Sequence, residues 1–239
     1  MDERRPLLVG VITDATTMRN NSAAASIADA EFQAKRKAHL ERTRYRCAFC
    51  VLVSKHNEVH HRDGNHANND ESNYDTACYL CHGYHHLGQR ALGMGIAAQG
   101  QGEPIGLALI PEVSAQDLNL FIMAAGAALN DPEEAKTAWA VLREVFVTAR
   151  RTEAAGDAFA VDPGSAAANM ASALAQLARQ APQEYEDRER SIGALRVIPH
   201  VNTVKKLGER FAAEFASLAV KNWKQVFDGI NSRFGARTV

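Results

Sequence analysis

Cys47-Ala48-Phe49-Cys50, Val59-His60-His61-Arg62-Asp63-Gly64-Asn65, Asn73, Cys78-Tyr79-Leu80-Cys81-His82 and His85-His86 lie in one block that holds all four cysteines and seven of the nine histidines of the chain. Two CxxC pairs offer four soft thiolates, the donor set that suits a tetrahedral Zn2+. Four sulfur ligands leave no coordination position for water. The ion assigned to Cys47, Cys50, Cys78 and Cys81 is therefore structural, and its binding free energy is folding free energy. Redox chemistry would need a βαβ setting, which the flanking sequence does not supply.

Around this block the composition is that of an ordinary globular protein: 239 residues, 46% hydrophobic and 23% charged, enough for one large or two small domains. A formal net charge of −1 excludes a global positive field, so any contact with DNA has to come from a local patch. One such patch is written at the end of the first expected helix, as Lys35, Arg36, Lys37, Arg42, Arg44 and Arg46. It reads either as a solvated helix face or as a contact for phosphate or an acidic partner beside the metal site. The opening Met1-Asp2-Glu3-Arg4-Arg5-Pro6-Leu7-Leu8-Val9 has too short an apolar run for a secretory h-region, and no segment reaches the roughly 18 apolar residues of a membrane span. The expected compartment is the cytoplasm.

Leu7 to Thr13 reads as a short strand, and a helix follows from Ser22 or Ser26 to about Arg42. Between Gly88 and Gly106 the glycine spacing suggests a connector, with no phosphate-loop motif, ahead of the short apolar run Leu107 to Ile110. From Pro111 the pattern turns helical. Ser114-Ala115-Gln116-Asp117 resembles a capping box, and Asp131-Pro132-Glu133-Glu134 starts the second arm of a helical hairpin. Asp162-Pro163-Gly164 breaks the chain before an alanine-rich helix from Ser165 to Gln180, and Asn202 to Phe234 carries Leu207, Phe211, Phe215 and Trp223 at helical spacing. His85 and His86 read as surface or stacking positions, and Asp63-Gly64-Asn65 as a turn.

The order of residue types between the knuckles resembles the HNH, or ββα-metal, nuclease finger. That resemblance implies His61 as the general base, Asn73 as the residue that orients it, and His60 and His82 as ligands of a second divalent ion, Mg2+ or Mn2+. An imidazole that is neutral near pH 7 can take a proton from water while a divalent ion stabilises the charge developing on phosphorus.

A second, longer resemblance joins both halves. Arg44-Tyr45-Arg46-Cys47-Ala48-Phe49-Cys50, the turn Asp63 to Asn69, Ser72-Asn73, Cys78-Tyr79-Leu80-Cys81, the glycine-rich connector and Leu109-Ile110-Pro111-Glu112-Val113-Ser114-Ala115-Gln116-Asp117 are similar to the IcmJ/DotN family of type IVB secretion and conjugation systems. Arg196-Val197-Ile198-Pro199 before a long helix also fits. The resemblance implies an α+β protein in two parts: a small ββα-metal (HNH-like) zinc finger within residues 1–110 and a mainly helical domain over 111–239. Its implied role is a non-catalytic adaptor that binds the coupling ATPase at the inner-membrane secretion complex. His60-His61 departs from that family, whose typical members have a degenerate histidine pair. Three readings therefore stand: a zinc-binding adaptor, a metal-dependent HNH endonuclease acting on DNA and, less favoured by a nearly neutral chain, a zinc finger that binds nucleic acid without cleaving it.

Overall fold

The computed structural model describes residues 4–12, 23–88, 105–157 and 166–215. Among these, helices dominate and strands form two two-stranded antiparallel sheets, an α+β arrangement. In chain order the elements are α1 (Ala23–Arg42), β1 (Glu58–His61), a 3-10 turn (Glu71–Asn73), β2 (Tyr74–Ala77), α2 (Tyr79–Tyr84) and β3 (Gly106–Leu109). They continue with α3 (Ala115–Ala128), α4 (Ala135–Asp157), α5 (Ala166–Gln180), α6 (Pro182–Glu186), α7 (Glu189–Ile192), β4 (Leu195–Ile198), α8 (Val201–Arg210) and α9 (Ala212–Phe215). No helix of the described residues is long and apolar enough to cross a membrane. The expected break at Asp162-Pro163-Gly164, the connector from 89 to 104 and the terminal stretch with Trp223 lie outside the described residues.

The cap chemistry expected from the sequence is in place. Ser114 accepts from the Asp117 backbone N–H at 3.1 Å and donates to its carboxylate at 2.8 Å, closing the first turn of α3. Asp131 accepts from Glu133 N–H at 2.8 Å, but residues 132–134 form a turn and α4 begins at Ala135.

The expected strand at Leu7 is not one. Leu7 and Val9 are buried, yet the segment is an extended strap whose backbone bonds go to loops and helix ends. Arg5 N–H donates to Ala48 O (3.1 Å), Gly10 N–H to Tyr84 O (2.8 Å), and Gly10 O accepts from Leu87 N–H (3.1 Å). Arg188 and Tyr185 hold it from the other side, through Val9 O (2.9 Å) and Val11 N–H (3.1 Å). An apolar alternating segment needs its backbone polar groups paired, and here side chains and loop carbonyls take the place of a ladder.

The larger buried cluster of the described residues spans both sides of position 110. It joins Cys47, Cys81, Tyr84 and Leu87 to Leu107, Leu118, Ile122, Leu142, Val197 and Phe211, so the core crosses position 110 without a gap. β3 pairs with β4 in the register Gly106↔Ile198 to Leu109↔Leu195, and Tyr84 Oη accepts from Val197 N–H at 3.0 Å. A smaller cluster of Phe32, Leu40, Val59 and Tyr74 holds α1 against the β1–β2 hairpin.

α3 and α8 approach backbone to backbone where Gly126 meets Gly208. A Cβ built on Gly208 would lie 1.9 Å from Gly126 O, and one on Gly126 would lie 2.6 Å from Val204 O. No rotamer change relieves a clash with backbone, so Gly208→Ala has to push the helices apart. We expect it to cost about 3 kcal/mol, the upper end for overpacking, seen as a lowered urea midpoint at unchanged m-value.

Candidate functional site

The cysteine set is assembled by two tight turns. Cys47 N–H donates to Leu52 O (2.8 Å) and Val51 N–H to Cys47 O (3.1 Å), which curls the first knuckle; Val51 sits at φ 62. A β-branched residue in the left-handed region is strained and persists where its surroundings over-determine it. The second knuckle is the start of α2, with Cys78 as N-cap and Cys81 in the first turn. All four cysteines are fully buried and none is in a disulfide. Their sulfurs lie within 4.8 Å of one another, with Cys50 Sγ and Cys78 Sγ 3.6 Å apart. A tetrahedron with metal–sulfur bonds of about 2.3 Å has edges of about 3.8 Å. The set therefore suits a divalent ion such as Zn2+.

Electrostatics points the same way. Hydrogen bonds from the Cys50, Cys78 and Cys81 thiols pull the Cys47 thiol far below its ordinary range. The bond to Cys47 pushes Cys78 well up, and burial does the same to Cys81. Four thiolates in one dry pocket need a cation to be charged together. On the helical side, Asn119 of α3 reaches across to place Nδ2 3.4 Å from Cys81 Sγ, a buried N–H to sulfur contact.

A second cluster shares α2. The cross-strand register His60↔Asp75 and His61↔Tyr74 fixes the hairpin, and α2 lies against it. His82 and, one turn later, His86 then face His60. One ring nitrogen from each of His60, His82 and His86 lies within 4.8 Å of the others, and the three residues are 5%, 6% and 5% exposed. Of the two positions expected for His86, the surface is excluded and a ring contact is found, edge-on to His82 at 4.6 Å between centroids. The i, i+4 spacing of His82 and His86 carried the signal, because those positions share a helix face.

His82 Nδ1 is 2.8 Å from Glu58 Oε2, which places its proton there and leaves Nε2 as a lone pair. His82 Nε2 and His86 Nε2 are 3.0 Å apart, close to the roughly 3.4 Å edge of a tetrahedron with metal–nitrogen bonds of about 2.1 Å. His60 stacks on His85 (4.2 Å between centroids, 19°), and its buried Nδ1 has no hydrogen-bond partner. A buried ring nitrogen without a partner, on a residue that joins two converging imidazoles, fits a bound metal.

His61 packs against Phe32 of α1, and His66 beside it also lies 6.3 Å from His86 of the cluster. His61 is 3% exposed and ringed by Phe32, Tyr74 and His66 at 5.0 to 5.2 Å. Its Nε2 lies 3.3 Å from Asn69 Oδ1, which also accepts from Tyr74 Oη at 2.8 Å, while Asn69 Nδ2 donates to Ala28 O of α1. With the amide so oriented, His61 carries its proton on Nε2, and Nδ1 is the basic nitrogen. Asn73 is elsewhere. It donates to Asp63 Oδ1 (2.9 Å) and Asn68 O (3.0 Å) and accepts from Asp63 N–H (3.1 Å), bracing the turn that Gly64 makes at φ 69. Asn69 is thus the amide beside His61, and nothing in its spacing marks it out.

Burial drives the pKa of His60 far down and that of His85 to about 3; His39, also buried, is lowered. An unfolded histidine takes its proton near pH 6.5. These groups therefore add stability in full above about pH 6.5 and lose it as pH falls, because the unfolded chain then binds more protons. Thermal melts of the zinc-loaded chain, with no second divalent ion added, should fall steadily from pH 7 to pH 5. A midpoint constant over that range would contradict the assigned neutral imidazoles.

No protein-family model matches this sequence and no curated protein matches it.

Proposed function

We propose that the chain is a metal-dependent phosphodiesterase of the HNH type acting on nucleic acid, stapled by zinc at Cys47, Cys50, Cys78 and Cys81. The observation that carries this reading is the convergence of His60, His82 and His86, with Glu58 behind His82, on the same hairpin and helix that the cysteines hold. The order β1, β2, α2 supports the ββα-metal finger expected from the sequence.

His60, His82 and His86 would hold the second ion. Three imidazoles are borderline donors that suit Zn2+ or Ni2+ best; of the expected pair, Mn2+ is the softer ion and fits them better than Mg2+. When bound, such an ion stabilises negative charge on a phosphoryl oxygen and on the leaving oxygen. His61 takes the proton of the attacking water at Nδ1, and Asn69 holds the ring in that tautomer. Glu58 keeps the His82 lone pair turned towards the ion. Asn73 sets the loop that carries Asn69.

A second reading is favoured by one specific observation, the burial of His61 under Phe32. A general base sealed from solvent suits a finger kept for binding, as in an adaptor of a type IV coupling complex that docks on the coupling ATPase. Nicking of supercoiled plasmid by the full chain with added Mn2+ separates the two. The phosphodiesterase nicks, and stops on chelation or with His82→Ala. Absence of nicking in protein whose histidine cluster is metal-loaded sinks that reading, and co-purification with a coupling ATPase then supports the adaptor.

A further inference from the structure

We propose that the concavity between the C-terminal end of α1 and the β1–β2 hairpin is a phosphate site that grips a polynucleotide backbone beside the scissile position; this rests on the phosphodiesterase reading. The concavity has a volume of about 310 Å3, and Arg5, His39, Arg42, Arg46 and Arg62 contribute to its walls. A water molecule takes up about 30 Å3, so the space is much more than a hydration site.

Four guanidiniums face two carboxylates here, Glu71 and Asp75. Asp75, 5% exposed, serves to position them: it accepts from Arg5 Nη1 at 2.7 Å and from Arg62 Nε and Nη2 at 3.0 Å each. A guanidinium has five N–H donors, so both arginines are oriented by Asp75 with donors to spare. Glu71 likewise holds Arg42 through Nη1. The two carboxylates fix the arginines in place and leave the walls with an excess of positive charge.

His39 supplies an independent pointer to a ligand. It is 4% exposed, and its Nδ1 lies 3.1 Å from Arg42 Nη2. Arg42 can only donate, so Nδ1 accepts and the proton of the neutral ring sits on Nε2. That Nε2–H is buried, belongs to a residue lining the concavity, and has no hydrogen-bond partner. Burial and the Arg42 charge also keep the ring neutral. A buried donor without a partner beside these guanidiniums is one that an anion with several oxygens can satisfy. The donors arrive from the strap, α1, the first knuckle and the hairpin. That spread suits a tetrahedral phosphate better than a planar carboxylate.

Placement selects the backbone of a nucleic acid as the source of the phosphate. Arg62 directly follows His61, and Asp75 is the cross-strand partner of His60. The concavity thus adjoins the strand that carries both the base and a ligand of the second ion. The sequence patch at Arg42 and Arg46 becomes the local positive surface that a chain of net charge −1 needs to hold DNA.

The test is fluorescence anisotropy of a labelled DNA duplex against the full, zinc-loaded chain between about 50 and 200 mM KCl. Arg42→Gln with Arg46→Gln should weaken binding at least about tenfold and reduce the salt slope by about 2, one for each phosphate that is no longer neutralised. His39→Phe keeps a ring against Tyr74 and lacks the donor; it should weaken binding several-fold. Unchanged affinity and slope in variants that melt like the wild type overturn the site. Inorganic phosphate provides a second arm: competition no stronger than chloride of equal ionic strength supports a backbone ligand, whereas tight calorimetric binding of phosphate without duplex binding overturns it in favour of a free anion. Duplex binding that needs these arginines in a chain that never nicks leaves the site standing and removes the phosphodiesterase. Nicking with an unchanged KM in the arginine variants does the reverse.

Discussion

Cys78→Ser, or exhaustive chelation of the native chain, is expected to melt far more than the zinc-binding turns. A structural zinc site is worth about 10–16 kcal/mol in apparent binding free energy, against a total domain stability of about 5–15 kcal/mol. Losing it removes most of that reserve. On sequence grounds alone the helices after Pro111 should survive that loss, because the finger and the helical part read as separate units. The structure argues otherwise through three connections. Asn119 of α3 touches Cys81 Sγ, Tyr84 Oη caps Val197 N–H of β4, and Leu87 belongs to the same buried cluster as Ile122 and Phe211. β3, which precedes position 110, has its only ladder partner among the described residues in β4, beyond it. The expected result is a single cooperative transition shifted to lower temperature, with amide protection lost in α3 and β4 as well as in β1 and β2. Retention of the helical circular dichroism signal with an unchanged midpoint would refute this coupling.

What the sequence disclosed and what it concealed divide along physical lines. Local chemistry was legible: CxxC spacing located the cysteine cluster, Ser114 and Asp117 located a helix start, and apolar periodicity located α3 and α4. Non-local pairing was not. Leu107 to Leu109 and Leu195 to Ile198 are each too short to announce a strand, and only their mutual register makes them one. The strap at Leu7 shows the converse, since its β-branched apolar pattern is real burial without a ladder. Within the site, His60, His61 and His82 were singled out from residue order, whereas Glu58, Asn69 and His86 were not. Glu58 and Asn69 act through one oxygen each, placed by the hairpin and the loop, and no periodicity encodes that. His86 was recoverable, because His82 and His86 stand four apart at the end of a helix.

His61→Ala should separate proton transfer from metal binding. A positioned general base contributes about 10²- to 10⁴-fold, so the variant should nick DNA slower by that factor while the His60, His82 and His86 cluster keeps its ion. The separation is possible because β1 alternates: His60 faces α2 and His61 faces Phe32 and Tyr74. His82→Ala removes a ligand and should lose the second ion and the activity together. Glu58→Gln removes the carboxylate behind His82 and should weaken metal binding by about 10- to 100-fold, with activity restored at high metal concentration. Asn69→Ala leaves the His61 ring in place and removes the acceptor that fixes its tautomer; its loss should be smaller than that of His61→Ala and insensitive to added metal. Metal content and nicking rate, measured on each of the four variants, give a distinct pair of values for every role. If His61→Ala nicks at the wild-type rate with the cluster loaded, His61 is a packing residue under Phe32, and the finger is a scaffold for binding.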